Sequence, residues 1–126
     1  MSSASAVDLA STIALANNIR QVLILHMGDA VAHLVADTTN GTTVNATTVA
    51  VDLVSAQNLL NSCQTAFNAH LTQAGVHVTN DTTNSNATAA ATNLGTAQTL
   101  ANALKTSINT HLASAPTGES ITLIGP

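Results

Sequence analysis

The sequence has almost no charge and almost no aromatic side chains. Two basic residues, Arg20 and Lys105, stand against six acidic ones, and charged residues make up 6% of the 126. Ordinary domains carry about 25%. Nucleic-acid binding needs clustered Lys and Arg to displace counterions, and two isolated cations cannot supply that, so no nucleic-acid partner is expected. Binding to an anionic membrane surface fails for the same reason. The apolar run VLILHM is far too short to span a bilayer. Phe67 is the only aromatic residue, with no Trp or Tyr, which removes the usual anchors of tight interfaces and base stacking. Cys63 is the only cysteine, so an internal disulfide is impossible. Phosphate-loop glycines, a G-x-S-x-G elbow and paired catalytic carboxylates are also missing. The expectation is a non-enzymatic protein without a cofactor. Met1 leads into SSASAVDLAS without a basic leader, which points to a chain made in a cytoplasm and kept or assembled there.

What is present is Ala, Val and Leu, within an apolar share of 45%, and a polar surface of Thr, Asn, Ser and Gln. Burial must then come from many small contacts, which favours a homo-oligomer, a many-copy assembly or docking on a larger surface. The chain is also repetitive. Residues 45–71 align without a gap on 86–112, with 13 of 27 positions identical. The N-terminal stretch fits the same frame: Ala6, Asp8, Leu9, Ser11, Leu15, Asn17 and His26 match Ala50, Asp52, Leu53, Ser55, Leu59, Asn61 and His70. Repetition at this period means a stacked architecture and a structural or binding role.

Each copy carries a helical pattern. Leu9, Thr12, Ala16, Ile19, Leu23 and His26 recur at three- and four-residue steps, as do Leu53, Ala56, Leu60, Cys63, Phe67 and His70, and Leu94, Ala97, Ala101, Leu104, Ile108 and His111. The fold class read from this is all-α, a three-helix bundle of degenerate helix-linker repeats, with helices at about 5–27, 46–73 and 87–113. Asn45 and Asn86 are read as helix N-caps, and Gly28, Gly75, Pro116 and Gly118 as stops. The helical domain covers 1–114, packed in up-down-up order, with an opening onto other chains in a trimer as the alternative. Residues 115–126 are read as an extended C-terminal arm whose Ile121, Leu123 and Ile124 form an interaction surface. Cys63, matching Ile19 and Leu104, is a small core residue. Asn17, Asn61 and Asn102 recur at one helical position, as interhelical hydrogen bonders or as solvated residues.

The linkers HMGDAVAHLVADTTN and HLTQAGVHVTNDTTN share H-x6-H-x3-D-T-T-N in register. The third copy keeps His111 but has Gly118 and Thr122 where the second His and the Asp would stand. His26, His33 and Asp37, and His70, His77 and Asp81, put imidazole and carboxylate donors at fixed spacing twice, and zinc or nickel accepts such donors. The competing reading, preferred from sequence, is that each Asp closes an Asx-type turn while the His rings fix the linker through backbone carbonyls. His26, His70 and His111 close the apolar stripe and read as bundle-end residues with a satisfied polar tip. The N-x-T matches, such as Asn80-Asp81-Thr82, are by-products of Asn and Thr richness.

The run from Asn68-Ala69-His70-Leu71 through His77, Asp81 and Asn84 resembles repeats in virion structural proteins of tailed bacteriophages. Those are similarly rich in Ala, Thr and Asn, nearly free of charge and without catalytic motifs. The resemblance covers roughly residues 5–113. It implies a capsid decoration or cement protein, or part of a fibre, assembled in the host cytoplasm into the virion and partnered by the major capsid protein or other virion subunits. The alternative function is a metal-binding helical module using the two His-His-Asp linkers.

Overall fold

The computed structural model describes residues 5–30 and 33–114. Among these the protein is all-α, with four helices and no strand: α1 (Leu9–Met27), α2 (Thr38–Ala46), α3 (Leu53–Leu71) and α4 (Leu94–Leu112). The proposed arm, including Ile121, Leu123 and Ile124, lies outside the described residues.

The three long helices start later than the periodicity predicts. Their N-caps are Asp8, Asp52 and Asn93, not Asn45 and Asn86. Each cap side chain accepts from the backbone N–H three residues on, and the Ser11, Ser55 or Thr96 hydroxyl accepts from the cap's own N–H. This reciprocal box satisfies two of the amides that a helix start leaves unpaired. The residues before it, 47–51 and 88–92, are non-helical; β-branched Thr and Val account for this in 47–51, whereas 88–92 is Thr-Ala-Ala-Ala-Thr and its non-helical backbone goes against alanine's helix preference.

Those non-helical segments are held by the recurring asparagines. Asn17 donates to the Ala50 carbonyl at 2.9 Å and accepts from its N–H at 2.8 Å. Asn61 makes the same pair with Ala91, at 3.1 and 2.8 Å, and Asn102 with Ala6, at 3.0 and 2.8 Å. Each of α1, α3 and α4 therefore clamps the segment that leads into another of the three, and the third clamp closes the ring. Asn17, Asn61 and Asn102 are helix-to-segment clamps, neither solvated nor helix-to-helix. Arg20 donates to the carbonyls of Asn45 and Thr47, and Gln64, its equivalent, to those of Asn86 and Thr88. One of the two cations is thus engaged with backbone.

The up-down-up order is overturned. The last turns of α1, α3 and α4 meet at one end, where His26 touches both His70 and His111, so the three helices run parallel. A 19-residue helix is about 28 Å long, and each linker must return the chain over that distance. The first does so with α2, capped by Asp37, whose carboxylate accepts from the Asn40 N–H. The shorter second linker has no helix; it turns at Gly75, whose φ of +79° suits a residue without Cβ. Both linkers are pinned alike, by Asp37 N–H to the Met27 carbonyl and Asp81 N–H to the Leu71 carbonyl.

The core follows the repeat. Equivalent positions are buried together: Thr12, Ala56 and Ala97; Ala16, Leu60 and Ala101; Ile19, Cys63 and Leu104; Leu23, Phe67 and Ile108. Cys63 is a core residue as expected, and burial pushes its thiol up to about 12. The next layer along the stripe is His26, His70 and His111, equally buried. No helix among the described residues is long and apolar enough to cross a membrane.

Candidate metal centre

All five histidines of the chain meet at the C-terminal end of the parallel helices. His26, His70 and His111 arrive from the last turns of α1, α3 and α4, at positions that the heptad-like stripe turns inward. His33 and His77 arrive from the two linkers and are buried as well. The Nε2 atoms of His70 and His111 each lie 3.0 Å from Nε2 of His26. One ligand atom each from His26, His70, His77 and His111 fits within 4.8 Å of all the others.

The outer hydrogen bonds decide where the protons sit. His70 Nδ1 lies 2.8 Å from Asp37 Oδ2, and His111 Nδ1 lies 2.8 Å from Asp81 Oδ2. Both carboxyl groups titrate below their ordinary range. Burial works against their charge, but donors outweigh it: the Asn40 amide groups and His70 at Asp37, and Asn84, His111 and the Thr83 N–H at Asp81, which is held down to about 2. An ionised carboxylate can only accept, so each imidazole carries its proton on Nδ1 and turns a bare Nε2 lone pair inward. His33 follows the same rule, because its Nδ1 lies 2.8 Å from the Asp29 carbonyl oxygen.

The inner imidazoles resist protonation. Burial, together with repulsion among the rings, lowers His26 to about 2 and His77 to about 4. Burial brings His70 to about 4 against the pull of Asp37, and lowers His111 against that of Asp81. At neutral pH these four are neutral imidazoles, and the inward Nε2 lone pairs of His70 and His111 both face His26 Nε2, whose single proton can serve only one of them well. His33 Nε2 and both ring nitrogens of His77 are buried without a hydrogen-bond partner among the described residues. Burying unpaired polar atoms is costly. A cation at the convergence point relieves both conditions, and carboxylates on the far ring nitrogen are the usual support of metal-ligating histidines.

The candidates read from sequence are thus regrouped. His26, His33, His70 and His77 do come together, but in one centre and not one per linker. Asp37 and Asp81 face the outer nitrogens of His70 and His111 and serve as orienting acceptors. His111, which neither His-His-Asp linker includes, belongs to the inner set; its equivalence to His26 and His70 is the signal for it. A cavity of about 480 Å³ opens beside the centre, lined by His77, Asp81, His111 and the Thr and Asn residues of the second linker.

No protein family, no curated protein and no solved structure matches this chain.

Proposed function

We propose that this protein is a non-enzymatic helical module that binds one divalent transition-metal ion through its clustered histidines, tying the three repeats together at one end. One observation carries this reading: three Nε2 atoms within 3.0 Å contacts, two of them fixed as lone pairs by Asp37 and Asp81. Imidazole donors suit Zn, Ni, Cu and Fe. The unpartnered nitrogens of His33 and His77 support it further. Calorimetric titration of the metal-stripped protein with Zn2+ and Ni2+ tests it. About one equivalent should bind and raise the unfolding temperature, and His70→Ala should abolish the tight phase. Absence of heat and of any thermal shift at micromolar metal refutes it.

The virion role is the second reading, and the two are compatible. It rests on the resemblance of the motif over residues 68–84 and on exposed Val7, Val49, Val51 and Val54 around the starts of α1 and α3, which offer an apolar contact to a capsid subunit. A metal-locked, nearly uncharged bundle suits a part displayed in many copies.

A further inference from the structure

The geometry points to a six-coordinate centre in which all five imidazoles bind one metal ion and the position opposite His70 stays open to a small exogenous donor, such as water or an azide-sized anion. This rests on the metal-binding reading above and specifies its coordination.

The arrangement of the rings carries it. Every pair of the five rings is in edge-to-face contact, at centroid separations of 4.6–5.6 Å, except His26 with His77 and His33 with His111. In an octahedron each ligand neighbours four others and faces one across the metal. Two facing pairs and one ligand that neighbours all the rest describe an octahedron with a single vertex unfilled. His70 is that ligand, so the unfilled vertex lies across from it.

Distances agree with this shape for His26, His70, His77 and His111, whose ligand atoms lie within 4.8 Å of one another; His33, in ring contact with His26, His70 and His77 but outside that set, would have to close onto the ion. Metal–nitrogen bonds of about 2.1 Å place neighbouring nitrogens about 3.0 Å apart in an octahedron, against about 3.4 Å in a tetrahedron. The closest nitrogens here are 3.0 Å apart. With ring centres about 3.2 Å from the ion, neighbouring rings would be about 4.5 Å apart and facing rings about 6.4 Å apart, which accounts for the two pairs that do not touch.

The repeat gives the same answer independently. His26 of α1 faces His77 of the second linker, and His111 of α4 faces His33 of the first linker. The third copy has Gly118 in sequence register with His33 and His77, so the repeat supplies no sixth imidazole. The cavity beside the centre touches His77 and His111, both neighbours of the open vertex, and not His70. Ions that accept six nitrogen or oxygen donors, Fe2+, Co2+ and Ni2+, fit this better than Zn2+ with its tetrahedral habit.

Cobalt is the probe, because its visible bands are weak when six-coordinate and intense when four-coordinate. Full-length protein loaded with one equivalent of Co2+ should show weak bands that shift on adding azide and saturate as a single site. His33→Ala should weaken Co2+ binding at least tenfold and admit a second azide. Intense four-coordinate bands, a spectrum indifferent to saturating azide, or unchanged affinity in a folded His33→Ala each overturns the five-imidazole assignment while leaving metal binding intact. Should His33→Ala not fold, the wild-type band intensity and azide response decide. Failure of Co2+, Ni2+ and Zn2+ alike to bind removes the metal reading itself.

Discussion

Acid should unfold the metal-free protein well above the pH at which its carboxylates titrate. His26 and His70 are folded as neutral rings, held to about 2 and about 4 from an ordinary 6.5. Below pH 6.5 the unfolded chain takes up protons on these residues that the folded chain refuses, so stability falls as pH falls. Each such imidazole removes about 1.4 kcal/mol per pH unit in that window. Between about pH 8 and pH 5 the two together remove about 4 kcal/mol, a large part of the roughly 5–15 kcal/mol that holds a domain folded. His77 and His111 act in the same direction. Asp37 and Asp81, lowered in the folded state, contribute stability that is lost only as pH falls below about 4, outside this window. Urea unfolding in chelator, followed by helical circular dichroism because there is no Trp or Tyr to report fluorescence, measures the difference. Equal stability at the two ends of this range, or greater stability at the acid end, would refute the buried neutral cluster.

The segment clamps and the assembly give further predictions. Asn61→Ala leaves the N–H and carbonyl of buried Ala91 without their partner; a loss of about 2–4 kcal/mol is expected in denaturant unfolding, and a change under about 0.5 kcal/mol would show that the clamp carries no stability. The virion reading expects the purified protein to co-sediment with a viral shell or filament, in many copies; a soluble monomer indifferent to such particles counts against it.

The long helices are legible because their signal is local. The stripe through Leu15, Ile19, Leu23 and His26 and its two copies give element type and buried face, and Cys63 falls where its equivalents predict. The starts mislead because Ala-Thr-Thr and Ala-Thr-Ala after Asn45 and Asn86 are compatible with helix, while the effective boxes, Asp8 with Ser11, Asp52 with Ser55 and Asn93 with Thr96, lie inside the periodic stretch and compete with it. Helix α2 is invisible to pattern because Thr38–Ala46 has no apolar periodicity to betray it; it is held by Asp37 and by packing on α1 and α3.

For the candidate metal centre, the sequence by itself determined which side chains are at hand: five histidines, three closing an apolar stripe and two in the linkers, and the two linker carboxylates; that Asp37 and Asp81 orient His70 and His111 came from the structure. It also determined that the third copy has Gly118 where a sixth histidine would stand. Only the tertiary structure decided that the helices run parallel. Spacing along a chain is silent about the relative direction of long helices joined by linkers of about twenty residues or more, since a linker of that length can either turn over or return. In up-down-up order the histidines would be split between opposite ends of the bundle. Run in parallel, the same stripe ends in one layer, and what reads in sequence as three separate polar tips becomes a single convergent set of lone pairs.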